Sequence, residues 1–146
     1  MVQRPDHIRS FRDLEVWQVA RKLANEVYRV TESFPQREWY GLGAQMRRSA
    51  VSIVSNIAEG FSRHTLPDYI HFLVTARASA AELEAQAIIG SDRGFIQEAE
   101  AGLLGELLAS VQRMSWRLEE SLRRHSKRVT AKPYPVPQAP TPMPHA

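Results

Sequence analysis

Gln45-Met46-Arg47-Arg48-Ser49-Ala50-Val51-Ser52-Ile53-Val54-Ser55-Asn56-Ile57-Ala58-Glu59-Gly60 is the stretch on which the reading of this chain turns. Its periodicity predicts a helix, which Gly60 ends as a C-cap. Gln45, Arg48, Ser52, Asn56 and Glu59 recur at steps of three and four, and at about 100° per residue they fall in a window of roughly 80°. Leu42, Met46, Ala50, Val51, Ile53, Val54, Ile57 and Ala58 spread over about 180° of the remainder. A surface helix buries a narrower stripe and covers its other side with Lys and Glu. This pattern therefore implies burial on more than one side, beside a ladder of polar residues that is specified rather than merely solvated.

The same oddity recurs downstream. His71, Thr75, Ser79, Glu82 and Gln86 form a second polar strip, flanked on one side by Tyr69, Phe72, Leu73, Ala76, Ala80, Leu83 and Ala87. On the other side stand Ile70, Val74, Ala78, Ala81, Ala85 and Ile88. An antiparallel hairpin turning at Phe61 to His64 would place Asn56 opposite His71, Ser52 opposite Thr75, Arg48 opposite Ser79, and Gln45 opposite Glu82. Arg48 could also reach Glu82, one turn along. We expect the strips to meet as a hydrogen-bonded seam, because buried polar groups need partners; the alternative is that both strips are simply solvent faces. Loss of Arg48 from such a seam would cost about 3 kcal/mol.

Two more helices flank this pair. Ser10-x-x-Asp13 predicts a capping box ahead of Leu14, Trp17, Ala20, Ala24, Val27 and Thr31, and Phe34-Pro35 closes that first helix. Thr65-x-x-Asp68, with Pro67 in the first turn, starts the third, which runs to about Ile89 before a turn at Gly90 to Gly94. The fourth spans Ile96 to about Lys127, with a core line of Ala99, Leu103, Leu107, Val111, Met114, Leu118 and Leu122. No segment alternates with period two. The expected fold is all-α, an antiparallel up-down-up-down four-helix bundle over residues 11–128. Residues 1–10 read as a flexible arm, and residues 129–146, rich in Pro, as a disordered tail.

The chain of 146 residues has no Cys, so neither disulfides nor thiolate chemistry enter. Met1 to Ser10 has no apolar core for a signal peptide and no apolar run is long enough to span a bilayer, so the expected location is cytoplasmic, with no membrane partner. Charge is uneven: Arg113 to Lys132 holds seven basic residues against Glu119 and Glu120, while the remainder holds twelve basic and fourteen acidic residues. Arg113, Arg117, Arg124 and Arg128 share a sector of about 60° on the fourth helix, with Lys127 close by. Such a stripe suits phosphate neutralisation on RNA or DNA, although Glu120 sits within it and no stacking aromatic is expected beside it. Catalytic, cofactor and metal residues are all expected to be absent. No Glu-x-x-His occurs, the five His never pair at i, i+4, and there is no Gly-rich phosphate loop or nucleophile motif. Ser52, His71 and Glu59 read as structural members of the seam, not as a triad.

Phe11-x-Asp13-Leu14-x-Val16-Trp17, Phe34-Pro35, the run Tyr40-Gly41-Leu42-x-x-Gln45-x-Arg47-Arg48-x-x-x-Ser52-Ile53-x-x-Asn56-Ile57-Ala58-Glu59-Gly60, and Glu82-Leu83-Glu84-x-Gln86 resemble the bacterial four-helix bundle family. This is the S23 family, or 23S rRNA intervening-sequence protein, and the likeness covers about residues 11–122. The chain departs from it at Ala78, where the family often has Gly, and at Ala85, where it often has Thr. The resemblance implies a four-helix bundle that assembles into a homo-oligomeric ring, a pentamer being favoured. It also implies a more distant relation to the accessory protein of diversity-generating retroelements, which binds nucleic acid and a reverse transcriptase. The expected function is thus that of a non-enzymatic, oligomeric, nucleic-acid-associated protein. The alternative is a purely structural or protein-interaction module, for example an accessory subunit of a reverse-transcriptase complex.

Overall fold

Leu14, in extended backbone, leads into the first of four helices in the computed structural model, which describes residues 6–130. These are α1 (Glu15–Glu32), α2 (Leu42–Phe61), α3 (Leu66–Asp92) and α4 (Glu98–Thr130), with single 3-10 turns at Phe11–Asp13 and Gln36–Glu38. Each helix packs on two neighbours, α1 and α3 both lying between α2 and α4, and no contact crosses either diagonal among the described residues. The contacts Arg47 to Thr31, Ser52 to Ser79, Arg77 to Glu119 and Arg29 to Glu100 run in opposite chain directions, so neighbours are antiparallel throughout. The fold is an all-α, up-down-up-down four-helix bundle. No helix among the described residues is long and apolar enough to cross a membrane.

The helix starts use different chemistry. The capping box forms, but around the 3-10 turn and not around α1: the Ser10 hydroxyl accepts from Arg12 N at 3.2 Å, and the Asp13 carboxylate accepts from Ser10 N at 3.0 Å. Backbone N–H groups of Arg9 and Ser10 hold the Asp13 carboxyl below its usual pKa. α2 has no Ser or Thr cap; Glu38 bends forward so that its Oε2 accepts from Leu42 N at 3.1 Å. Thr65 caps α3 as expected, accepting from Asp68 N at 3.3 Å.

Gly60 is not the left-handed cap that its place near the helix end suggested. α2 runs on through Phe61, and the only positive φ among the described residues is 74°, at Gly94. A Cβ on Gly60 would lie 2.9 Å from Phe72 Cβ and 3.3 Å from the Tyr69 carbonyl oxygen, so the glycine is required by the closeness of α3. α3 likewise continues past Ile89 to Asp92.

The core is built from Leu23, Val27, Met46, Ile53, Ile57, Leu73, Leu83, Leu104 and Val111, all fully or almost fully buried. The line expected on α4 is displaced. Ala99 and Leu103 are exposed, Leu107, Met114 and Leu118 only half-buried, and the inward residues are Leu104, Leu108, Val111, Ser115, Glu119 and Leu122. α4 packs on both α1 and α3, and its buried line begins at the apolar Leu104 and Leu108 but passes through Ser115 and Glu119, which an apolar periodicity cannot reveal. Of the expected arm, residues 1–5 lie outside the described residues, and Ile8 packs against the core. Of the expected tail, residues 131–146 lie outside the described residues, while 129 and 130 complete α4.

Candidate functional site

The α2 and α3 polar strips face each other one helical turn later than expected. Ser52 Oγ lies 2.8 Å from Ser79 Oγ, where Thr75 had been its expected partner. Gly60 meets Tyr69 and Phe72, and Ser52 lies one turn further along α3 than expected. The expected contacts of Asn56 with His71, Arg48 with Ser79 and Gln45 with Glu82 do not form. Asn56 Nδ2 donates instead to the Ser52 carbonyl at 2.7 Å and to its hydroxyl at 3.0 Å, and Thr75 donates to the His71 carbonyl at 3.0 Å. His71 is exposed and Glu59 pairs with Arg63.

Gln45, Arg48, Ser49, Ser52, Ser79, Glu82 and Gln86 line an open groove of about 460 Å³. Gln45, Arg48 and Glu82 are exposed, and only Gln86 Oε1 is buried there without a hydrogen-bond partner. The seam is thus closed at Ser52 and Ser79 and open elsewhere. The interior role belongs to Arg47, which the sequence pattern leaves out of the strip, and not to Arg48. Its guanidinium donates to Thr31 Oγ1 at 3.1 Å and to the Trp39 carbonyl at 2.7 Å, tying α1, α2 and the chain between them together.

Of the second apolar flank of α3, Ile70 is absorbed by the core and the rest is not. Val74, Ala78, Ala81, Ala85 and Ile88 stand outward at alternating steps of four and three, with Val74 42% and Ile88 57% exposed. This is the spacing of a helix–helix contact strip.

On α4, Arg113, Arg117, Arg124, Lys127 and Arg128 all face solvent. Among the described residues Arg117, Arg124 and Arg128 have no hydrogen bond or ion pair, and Glu120, half-buried, forms no salt bridge with Arg117 or Arg124. Glu119, the other acid of this segment, is turned inward and only 7% exposed. Its carboxylate accepts from Arg77 at 2.6 Å and from Arg123 at 2.9 Å. Burial pushes the Glu119 pKa upward, but the hydrogen bonds and charges of Arg123 and Arg77 outweigh it and hold the carboxyl below its usual range. Trp116 is 50% exposed, and helical geometry puts it about 60° from Arg113. An exposed aromatic thus borders the Arg113 end of the basic stripe, where none was expected. The i, i+3 spacing from Arg113 was the available signal.

A sequence profile described as 23S rRNA-intervening sequence protein matches residues 12–117. The chain belongs to this family. No curated protein sequence matches it. The family segment takes in α1, α2, α3, both polar strips and the outward strip of α3, but on α4 it stops at Arg117. Arg113, Trp116 and Arg117 therefore lie inside the region shared with the 23S rRNA-intervening sequence proteins, and Arg124, Lys127 and Arg128 beyond it.

Proposed function

We propose that this member of the 23S rRNA-intervening sequence family is a non-enzymatic, self-assembling helical bundle that binds nucleic acid through the outer face of α4. The observation that carries the reading is the separation of charge on that helix. Arg117, Arg124 and Arg128 are exposed and unpaired among the described residues, Trp116 is half-exposed on the side of Arg113, and Glu119 is turned inward onto Arg77 and Arg123, leaving Glu120 as the one acid within the stripe. Unpaired cations on a rigid helix release counterions from phosphate, giving salt-sensitive binding with little sequence preference. A half-exposed indole adds a face on which an unstacked base can lie. The site would act in the cytoplasm.

Assembly is supported by the outward strip of α3, whose apolar side chains are exposed on the protomer. A homo-oligomer buries them against another copy, and the pentameric ring implied by the family resemblance is the favoured form. The same strip favours the second reading, a purely structural or protein-interaction module such as an accessory subunit of a reverse-transcriptase complex.

Electrophoretic mobility shift with a structured RNA, repeated across a salt series, tests the first reading. Retardation that weakens steeply with salt is expected. No retardation even at low salt would reject it and leave the second.

A further inference from the structure

We infer that the N-terminal half of α1 carries a phosphate-binding pocket, separate from the α4 stripe and independent of the reading given to it. Arg12, Trp17, Gln18, Arg21, Lys22 and Asn25 line an open cavity of about 420 Å³. Its lining holds three cations and two amides, and no carboxylate.

The cations are placed rather than merely near one another. Phe11 and Trp17 pack edge to face with centroids 4.9 Å apart, forming a fixed aromatic platform. The Arg12 guanidinium lies 5.0 Å from the Phe11 centroid, and that of Arg21 lies 5.8 Å from the Trp17 centroid. Gln18 Nε2 donates to the Arg12 carbonyl at 2.9 Å, pinning the 3-10 turn against α1, and Asn25 Nδ2 donates to the Arg21 carbonyl at 3.0 Å.

The acids that would ordinarily quench such a cluster are engaged elsewhere. Asp13 accepts from the N–H groups of Arg9 and Ser10. Glu26 is paired with Arg29, and Glu15, about 20° from Lys22 around α1, lines a different cleft with Arg117 and forms no ion pair with the cluster. Arg12, Arg21 and Lys22 have no ion pair among the described residues. One lining residue also carries an unmatched donor: the Trp17 indole N–H is buried without an acceptor. Guanidinium forks held on aromatic rings, next to an ammonium, match the oxygen-rich, multiply charged phosphate group. The cavity has room for a nucleotide-sized ligand.

Titration calorimetry on the full chain at constant ionic strength, with inorganic phosphate and with adenosine monophosphate, tests the pocket. Saturable binding is expected, about tenfold weaker in Arg21→Gln and in Lys22→Gln and unchanged in Arg124→Gln on α4. No saturable binding of either probe overturns the inference, as does equal weakening in Arg124→Gln. Circular dichroism on each variant confirms that the helices persist. A 5′-phosphorylated oligoribonucleotide and its 5′-hydroxyl counterpart then separate the sources of phosphate. A preference for the phosphorylated strand that Arg21→Gln removes assigns a strand end. Equal binding of both strands, weakened alike by Arg21→Gln, assigns backbone phosphate. Adenosine monophosphate binding that depends on Arg21, while neither strand does, assigns a free phosphorylated small molecule.

Discussion

Ser52 Oγ and Ser79 Oγ meet at 2.8 Å across the α2–α3 interface, and the Asn56 amide closes on the same Ser52 hydroxyl from one turn below. This contact sets the register of the hairpin's polar side. Ser79 is buried, so Ser79→Ala leaves the Ser52 hydroxyl with one partner fewer and is expected to cost about 1 kcal/mol. Arg48 is exposed on the groove, and Arg48→Ala is expected to change protomer stability by less than about 0.5 kcal/mol, well below the value its sequence pattern suggests. Urea unfolding of the two variants gives both numbers. A larger loss for Arg48 than for Ser79 would show that Arg48 is buried between copies of the chain.

Gly60 governs the approach of the two helices. A methyl group there would press on Phe72 Cβ at 2.9 Å and on the Tyr69 carbonyl oxygen at 3.3 Å, and backbone atoms do not yield cheaply. Gly60→Ala is therefore expected to destabilise by about 1–3 kcal/mol, although alanine is intrinsically the better helix former. Thermal unfolding at matched protein concentration checks the sign, and an unchanged or raised melting temperature would contradict the tight crossing.

Glu119 links α3 to α4 through Arg77 and extends to Arg123 on its own helix. Its folded pKa lies below the usual Glu value, so the unfolded chain binds this proton more readily. The stability contributed is present above the unfolded pKa, near about 4.3 for Glu, and is lost as pH falls through the folded value. Glu119→Gln is expected to lower stability at neutral pH by about 2 kcal/mol, since both arginines keep access to water, and to flatten the loss of stability in the acid range. Stability measured by denaturant between neutral and acid pH, for both proteins, reads the difference.

The fold was legible because helix periodicity, Phe34-Pro35 and Thr65-x-x-Asp68 are local signals that tertiary packing had no reason to override. What misled were features whose meaning depends on a second helix. Gly60 reads the same whether it caps a helix or admits a neighbour. The slip from Thr75 to Ser79 opposite Ser52 depends on how α3 sits against α2, which no spacing within α2 records. Arg47 and Arg48 are chemically identical neighbours, and only the position of Thr31 and the Trp39 carbonyl decides which one turns inward. Glu119 was counted against the surface charge because its inward partner, Arg77, is forty-two positions away. Trp116 is visible in the sequence only as the i, i+3 neighbour of Arg113.

The outward strip of α3 makes a distinct prediction for assembly. Ala81 is exposed at its centre, so Ala81→Glu is expected to leave the protomer's own stability within about 0.5 kcal/mol while placing a charge where a second copy would pack. Size-exclusion chromatography with light scattering is expected to show an oligomer for the unaltered chain and the 16.6 kDa protomer for the variant. A chain that runs as the protomer before any substitution would remove the assembly reading altogether.

Charge and stacking on α4 are separable by experiment because they depend differently on salt. Arg124 is exposed and unpaired among the described residues, and its distance from the core makes Arg124→Gln harmless to folding. If it neutralises one phosphate, the variant's slope of log affinity against log salt is expected to be shallower by about one. Trp116 carries no charge, so Trp116→Ala is expected to leave that slope unchanged. A stacked base contributes about 1–3 kcal/mol, so the same variant is expected to bind a single strand roughly tenfold more weakly and a duplex, whose bases are already stacked, as before. Filter binding of a single strand and its duplex, each at several salt concentrations, measures all four quantities. An equal loss on both substrates would make Trp116 a packing residue of the assembly, and an unchanged slope for Arg124→Gln would take the phosphate contact away from that end of the helix.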